Sequence, residues 1–126
     1  MKVWLLSLCC LLAFLFVGYL IQSSLDRTAD RFNQQLGEVE LELKARDWDK
    51  SLLKLNAVQK NWEKIKPYWA VLTNHKEMDL IEEALIKTIR ALLCRSYNDA
   101  MINLGSLRDA IKHIPERERF SLVNVF

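Results

Sequence analysis

Residues 25–43 read LDRTADRFNQQLGEVELEL, and this stretch decides the fold. Leu25, Ala29, Phe32, Leu36, Val39 and Leu43 follow one another at intervals of 4, 3, 4, 3 and 4, which lays them along one side of a helix. Glu38, Glu40, Glu42 and Lys44 fall mostly off that stripe, as a solvated side requires. Gly37 weakens the helix by up to ~1 kcal/mol relative to Ala without ending it. The spacing predicts a first helix over about Leu25 to Arg46. Only Gln22-Ser23-Ser24 separates it from what precedes, and none of these is a strong breaker, so continuity with the upstream segment stays open.

Upstream, residues 3–21 read VWLLSLCCLLAFLFVGYLI, nineteen residues without a charge. At 1.5 Å per residue this roughly matches the ~30 Å hydrocarbon core of a bilayer. A cleaved secretory signal has a shorter apolar region of about 7–15 residues and small residues at −3 and −1. The nearest sites put Ser23 or Ser24 at −1, but then Ile21 or Gln22 at −3. Leu8, not a small residue, precedes Cys9, so there is no lipobox either. The expectation is an uncleaved signal anchor over residues 1–22, crossing the bilayer through Val3 to Ile21, and an extracytoplasmic helical domain over residues 23–126. Orientation rests on a short head carrying Lys2, retained inside, because Arg27 and Arg31 are offset by Asp26 and Asp30 and long domains translocate largely regardless of charge.

The remainder follows the same period. Asp47 is placed to cap a second helix with the stripe Trp48, Leu52, Leu55, Val58, Trp62 and Ile65, stopping at Pro67. A connector from Pro67 to about Asn74 leads to a third helix with Met78, Ile81, Leu85, Ile89 and Leu92. Ser96 or Asn98 can cap a fourth, with Tyr97, Ala100, Leu104, Leu107, Ile111 and Ile114, ended by Pro115. The apolar tail to Phe126 is expected to pack back on the bundle. Displaced by 49 residues, Ala45-Arg46-Asp47-Trp48-Asp49 falls on Cys94-Arg95-Ser96-Tyr97-Asn98, and Leu36, Leu43, Leu55 and Ile65 fall on Leu85, Leu92, Leu104 and Ile114. Part of that agreement is what any two amphipathic helices would give. The fold class expected is all-α: an N-terminal single-pass transmembrane helix followed by a four-helix bundle of two αα-hairpins.

Composition narrows the function. With 126 residues, 51% hydrophobic, 3 Gly and 2 Pro, the chain is neither disordered nor collagenous. A net charge of +2, evenly spread, argues against a nucleic-acid binder. Cys9 and Cys10 lie in the apolar segment, which leaves Cys94 as the sole thiol of the domain; following Leu92 and Leu93, it reads as buried and inert.

There is no Gly-rich phosphate loop, Cys-x-x-Cys, His-Glu-x-x-His or Gly-x-Ser-x-Gly, so no enzyme and no cofactor are expected. His75 and His113 could approach at one end of the bundle, yet a metal site needs three or four ligands, and capping or terminal roles suit them better. Glu82 and Glu83 point apart on a helix, and Glu116 to Arg119 alternate in sign, which suits a solvated surface. Trp48 and Trp62 lie on the helix-two stripe and are expected in the core. Tyr68 and Trp69, beside Pro67, could close the core, meet a partner or touch lipid headgroups, with core closure favoured. Trp62, Tyr68, Trp69, His75 and His113 are therefore the candidate binding residues.

Asn61-Trp62-Glu63-Lys64-Ile65-Lys66-Pro67-Tyr68-Trp69, Asn74-His75-Lys76-Glu77, Ile111-Lys112-His113-Ile114-Pro115-Glu116 and Asn124-Val125-Phe126 together carry a resemblance. The chain resembles the domain-of-unknown-function family 4363 of small membrane-anchored Firmicutes proteins. That resemblance implies a bacterial, anchored helical protein, and no activity or site residue. The functional expectation is a non-enzymatic interaction or structural module of the bacterial envelope with a protein partner. The alternative is a small-ligand or metal-binding sensor domain.

Overall fold

A computed structural model of the chain describes the backbone through Val125 and the side chains through Glu116. It contains four helices: α1 (Lys2–Lys44), α2 (Trp48–Leu72), α3 (His75–Leu93) and α4 (Tyr97–Val125), with no strand among the described residues. α1 is a single element of 43 residues, so the apolar segment and the amphipathic stripe share one uninterrupted helix. The two parts are packed differently. Val3 to Ile21 is long and apolar enough to cross a membrane and none of it is buried, whereas Leu25, Ala29, Phe32, Leu36, Val39 and Leu43 are all buried. The 4-3-4-3-4 stripe is thus the buried face of α1.

α1 packs on α2 and α4, and α3 packs on α2 and α4, which closes a four-helix bundle. Leu55 and Val58 of α2, Ile81, Leu85 and Leu92 of α3, and Leu104, Leu107, Ile111 and Ile114 of α4 meet the α1 stripe in one core. Trp48, Leu52, Ile65, Ile89 and Tyr97, expected on the stripes, pack against its margin and stay half-buried. Small or polar side chains share the interior: Ser51, Ala84, Thr88, Ala91 and Ala100 are buried. The hydroxyls among them are satisfied within their own helices, Ser51 donating to the Asp47 carbonyl at 2.8 Å and Thr88 to the Ala84 carbonyl at 2.7 Å.

Both tight turns are built alike. At the end of α1 the Arg46 N–H donates to the Leu43 carbonyl and the Asp47 N–H to the Glu42 carbonyl; at the end of α3 the Arg95 N–H donates to Leu92 and the Ser96 N–H to Ala91. This is the Schellman pattern, which requires a left-handed residue just past the helix end. Arg46 (φ 56°) and Arg95 (φ 54°) take that role, although neither is a glycine. In each turn the next residue starts the following helix. Asp47 accepts from the Lys50 N–H at 3.2 Å. Ser96, in the equivalent place, donates to the Asp99 carboxylate at 2.8 Å. The 49-residue repeat therefore extends to a shared backbone conformation that amphipathic periodicity alone does not produce.

Two expected boundaries are corrected. α2 continues through Pro67 to Leu72, and α4 continues through Pro115 to Val125. A proline inside a helix forfeits one backbone hydrogen bond and costs about 3 kcal/mol relative to Ala. Continuing α2 places Trp69, 3% exposed, in the core, and burial of a Trp offsets such a cost because its loss is typically worth about 3–5 kcal/mol. The connector expected from Pro67 to Asn74 shrinks to Thr73 and Asn74, with the Asn74 side chain accepting from the Lys76 N–H at 3.1 Å. The expected packing of the tail falls on side chains outside the described residues.

Cys94 is also corrected: it is exposed, not buried. Leu92 is the last inward position of α3, and each further residue turns about 100° around the axis, so Leu93 and Cys94 point outward.

Candidate functional site

The sequence candidates separate into three places. Trp62 and Trp69, seven residues apart on α2, meet edge to face with ring centroids 5.7 Å apart. Phe32 of α1 lies edge-on to both, at 6.2 Å from Trp62 and 6.4 Å from Trp69. These are the separations and angles that aromatic quadrupoles favour, so the three rings lock α1 to α2. Both tryptophans are 3% exposed, so little of either ring is open to a ligand.

Glu82 of α3 seals the edge of this cluster. It accepts from the Trp62 indole N–H at 3.4 Å and pairs with Lys66. The hydrogen bond and the charge of Glu82 hold the Lys66 ammonium above the ordinary lysine range. Elsewhere α1 is tied to its neighbours by Lys54–Glu42 at 3.0 Å and Arg108–Glu40 at 2.6 Å.

Tyr68 differs from Trp69 although adjacent to it. It is 74% exposed, and core closure, expected for both, holds for Trp69 alone. Tyr68 and Trp69 line a groove of about 390 Å³ together with Leu20, Ile21, Ser24, Leu25 and Thr28 of α1 and Ile65 and Leu72 of α2. The sequence hid this groove, because its two walls are distant in the chain and only the continuity of α2 past Pro67 brings them together.

His113 lines a second groove, between α3 and α4, with Glu77, Leu80, Asp109, Ala110 and Ile114. Its Nδ1 lies 2.7 Å from the Asp109 carbonyl oxygen, one turn back in the same helix. His75 opens α3 on the exposed surface outside that groove, and the capping role there belongs to Asn74. Among the described residues no three His, Cys, Asp or Glu side chains are grouped to hold a metal ion. The arrangement offers an apolar groove at the aromatic end and a smaller one of mixed lining beside His113.

These features define an all-α bundle whose first helix carries a long apolar N-terminal extension. The chain belongs to the family described as Domain of unknown function (DUF4363), whose model matches residues 19–125. No curated protein and no solved structure matches it significantly.

Proposed function

We propose that the protein is a single-pass membrane protein whose helical domain, held outside the cytoplasm, is a non-enzymatic interaction or structural module of the bacterial envelope. One observation carries this reading: α1 is at once the apolar extension and a core element of the bundle. An exposed run of nineteen apolar residues is stable in lipid and costly in water. Because the same helix then buries Leu25 to Leu43, the domain is fixed to the membrane without a flexible linker. A ligand-sensing role has less support, since Trp62 and Trp69 are taken up by the core and His75 and His113 do not line one groove.

Cys94 supplies the test of orientation. In a Cys9→Ser, Cys10→Ser background, a membrane-impermeant maleimide should label it in intact cells; labelling only after lysis would put the domain in the cytoplasm. In-cell cross-linking of the anchored chain, with an anchorless chain as control, should then recover an envelope partner that depends on the domain. Recovery of bulk membrane proteins alone would remove the interaction role.

A further inference from the structure

We propose that the lower end of α2, Pro67 to Leu72, lies in the interfacial layer of the bilayer, with Tyr68 and Val71 inserted among the lipids. This rests on α1 crossing the membrane, and concerns a second contact that no part of that reading supplies. The level of the groove is its first support. Its α1 wall runs from Leu20 to Thr28, about 12 Å of helix rise, and so straddles Ile21, where the apolar segment ends. The α2 wall, Ile65, Tyr68, Trp69 and Leu72, must share that level because it closes the same groove.

The second support is exposure. α2 starts at the far turn and runs toward the apolar segment, so Val71 lies closer to it than Tyr68 does. Val71 is 84% exposed and Tyr68 74%. An aliphatic side chain and a phenol with an apolar body and a polar tip, side by side at the end of a membrane span, match the composition of membrane interfaces. Lys76, exposed just past the α2–α3 connection, can extend toward headgroups.

The test uses the full chain with Cys9, Cys10 and Cys94 replaced by Ser, reconstituted in phosphatidylethanolamine–phosphatidylglycerol vesicles. Nitroxide labels are attached in Val71→Cys, Tyr68→Cys, Leu20→Cys and Leu53→Cys chains, all at exposed positions. Relaxation by oxygen, which concentrates in lipid, is compared with relaxation by a water-soluble nickel chelate. Labels at Val71 and Tyr68 should resemble Leu20, with oxygen dominating, while Leu53 near the far turn is dominated by nickel. A Leu20 label in lipid with Val71 and Tyr68 labels as nickel-accessible as Leu53 would overturn the interfacial contact and leave the anchor standing. Shielding of Val71 and Tyr68 from both reagents would overturn it in favour of a protein contact. A nickel-accessible Leu20 label would instead remove the anchor itself, and the interfacial contact with it.

Discussion

The guanidinium of Arg46 lies 4.3 Å above the centroid of the Tyr97 ring, so the residue in the left-handed position of the first turn stacks on the residue that opens α4 after the second. The two turns therefore meet at one end of the bundle. A cation over an exposed aromatic face is worth about 0.5–1 kcal/mol, comparable to the roughly 1 kcal/mol that a left-handed conformation costs an L-residue.

That balance separates two otherwise equivalent arginines. Arg95→Gly should raise the unfolding free energy by about 1 kcal/mol, because glycine adopts φ 54° freely and Arg95 stacks on no aromatic ring among the described residues. Arg46→Gly should change it by less than about 0.5 kcal/mol, since relief of strain is offset by loss of the stack on Tyr97. Chemical denaturation of the two variants distinguishes them; an equal gain from both would show that the stack contributes nothing.

Trp62→Ala should destabilise the fold by about 3–5 kcal/mol, as removal of a buried aromatic does. Tyr68→Ala, six residues on and largely exposed, should shift detergent-solubilised stability by no more than about 0.5 kcal/mol. Comparable losses would mean that Tyr68 packs more closely than its exposure indicates.

Glu82→Ala should cost about 1–3 kcal/mol, because the buried Trp62 indole N–H loses its acceptor. Glu82→Gln, which keeps an acceptor, should recover most of this. The Lys66 partnership adds a pH signature of defined sign. Its ammonium is held above the ordinary value of 10.5, so the contribution is complete below that value and fades as pH rises through the higher folded one. In a pH series of melts, a Glu82→Gln chain should lack this alkaline loss.

Pro67→Ala should stabilise the protein by up to about 3 kcal/mol, since α2 already continues past this exposed position and alanine restores a helical N–H donor. A loss of stability measured by thermal unfolding would show that the proline sets the direction in which Trp69 enters the core.

Nearly all of the core was legible in the spacing of apolar residues. All six expected positions of α1 are buried, and five of the six on α4. One cap was legible too: Asp47 acts through its side chain as expected, whereas α3 is capped by Asn74 and not by His75, for which a capping role was expected. Pro67 misled, because a local rule about one missing hydrogen bond competes with the burial of Trp69, which lies two residues beyond the apparent stop. Cys94 misled for the opposite reason: its neighbours Leu92 and Leu93 made an apolar run, while the helix was already turning its face outward. The groove at the aromatic end was illegible for a different cause, since its walls, Leu20 to Thr28 and Ile65 to Leu72, are far apart in the chain.

The unbroken α1 has a mechanical consequence. From Ser24 to Lys44 it rises about 30 Å, and a helix of this kind behaves as a stiff rod over that length. Were its apolar half held in lipid as proposed, a tilt of that half would sweep the far turn with Arg46 and Tyr97 sideways by a proportionate distance, as the tip of a lever does. Encounters with a partner would then take place within a thin shell at a set height and in a restricted set of orientations, a two-dimensional search in which any change in bilayer thickness is felt directly at the tip of the bundle.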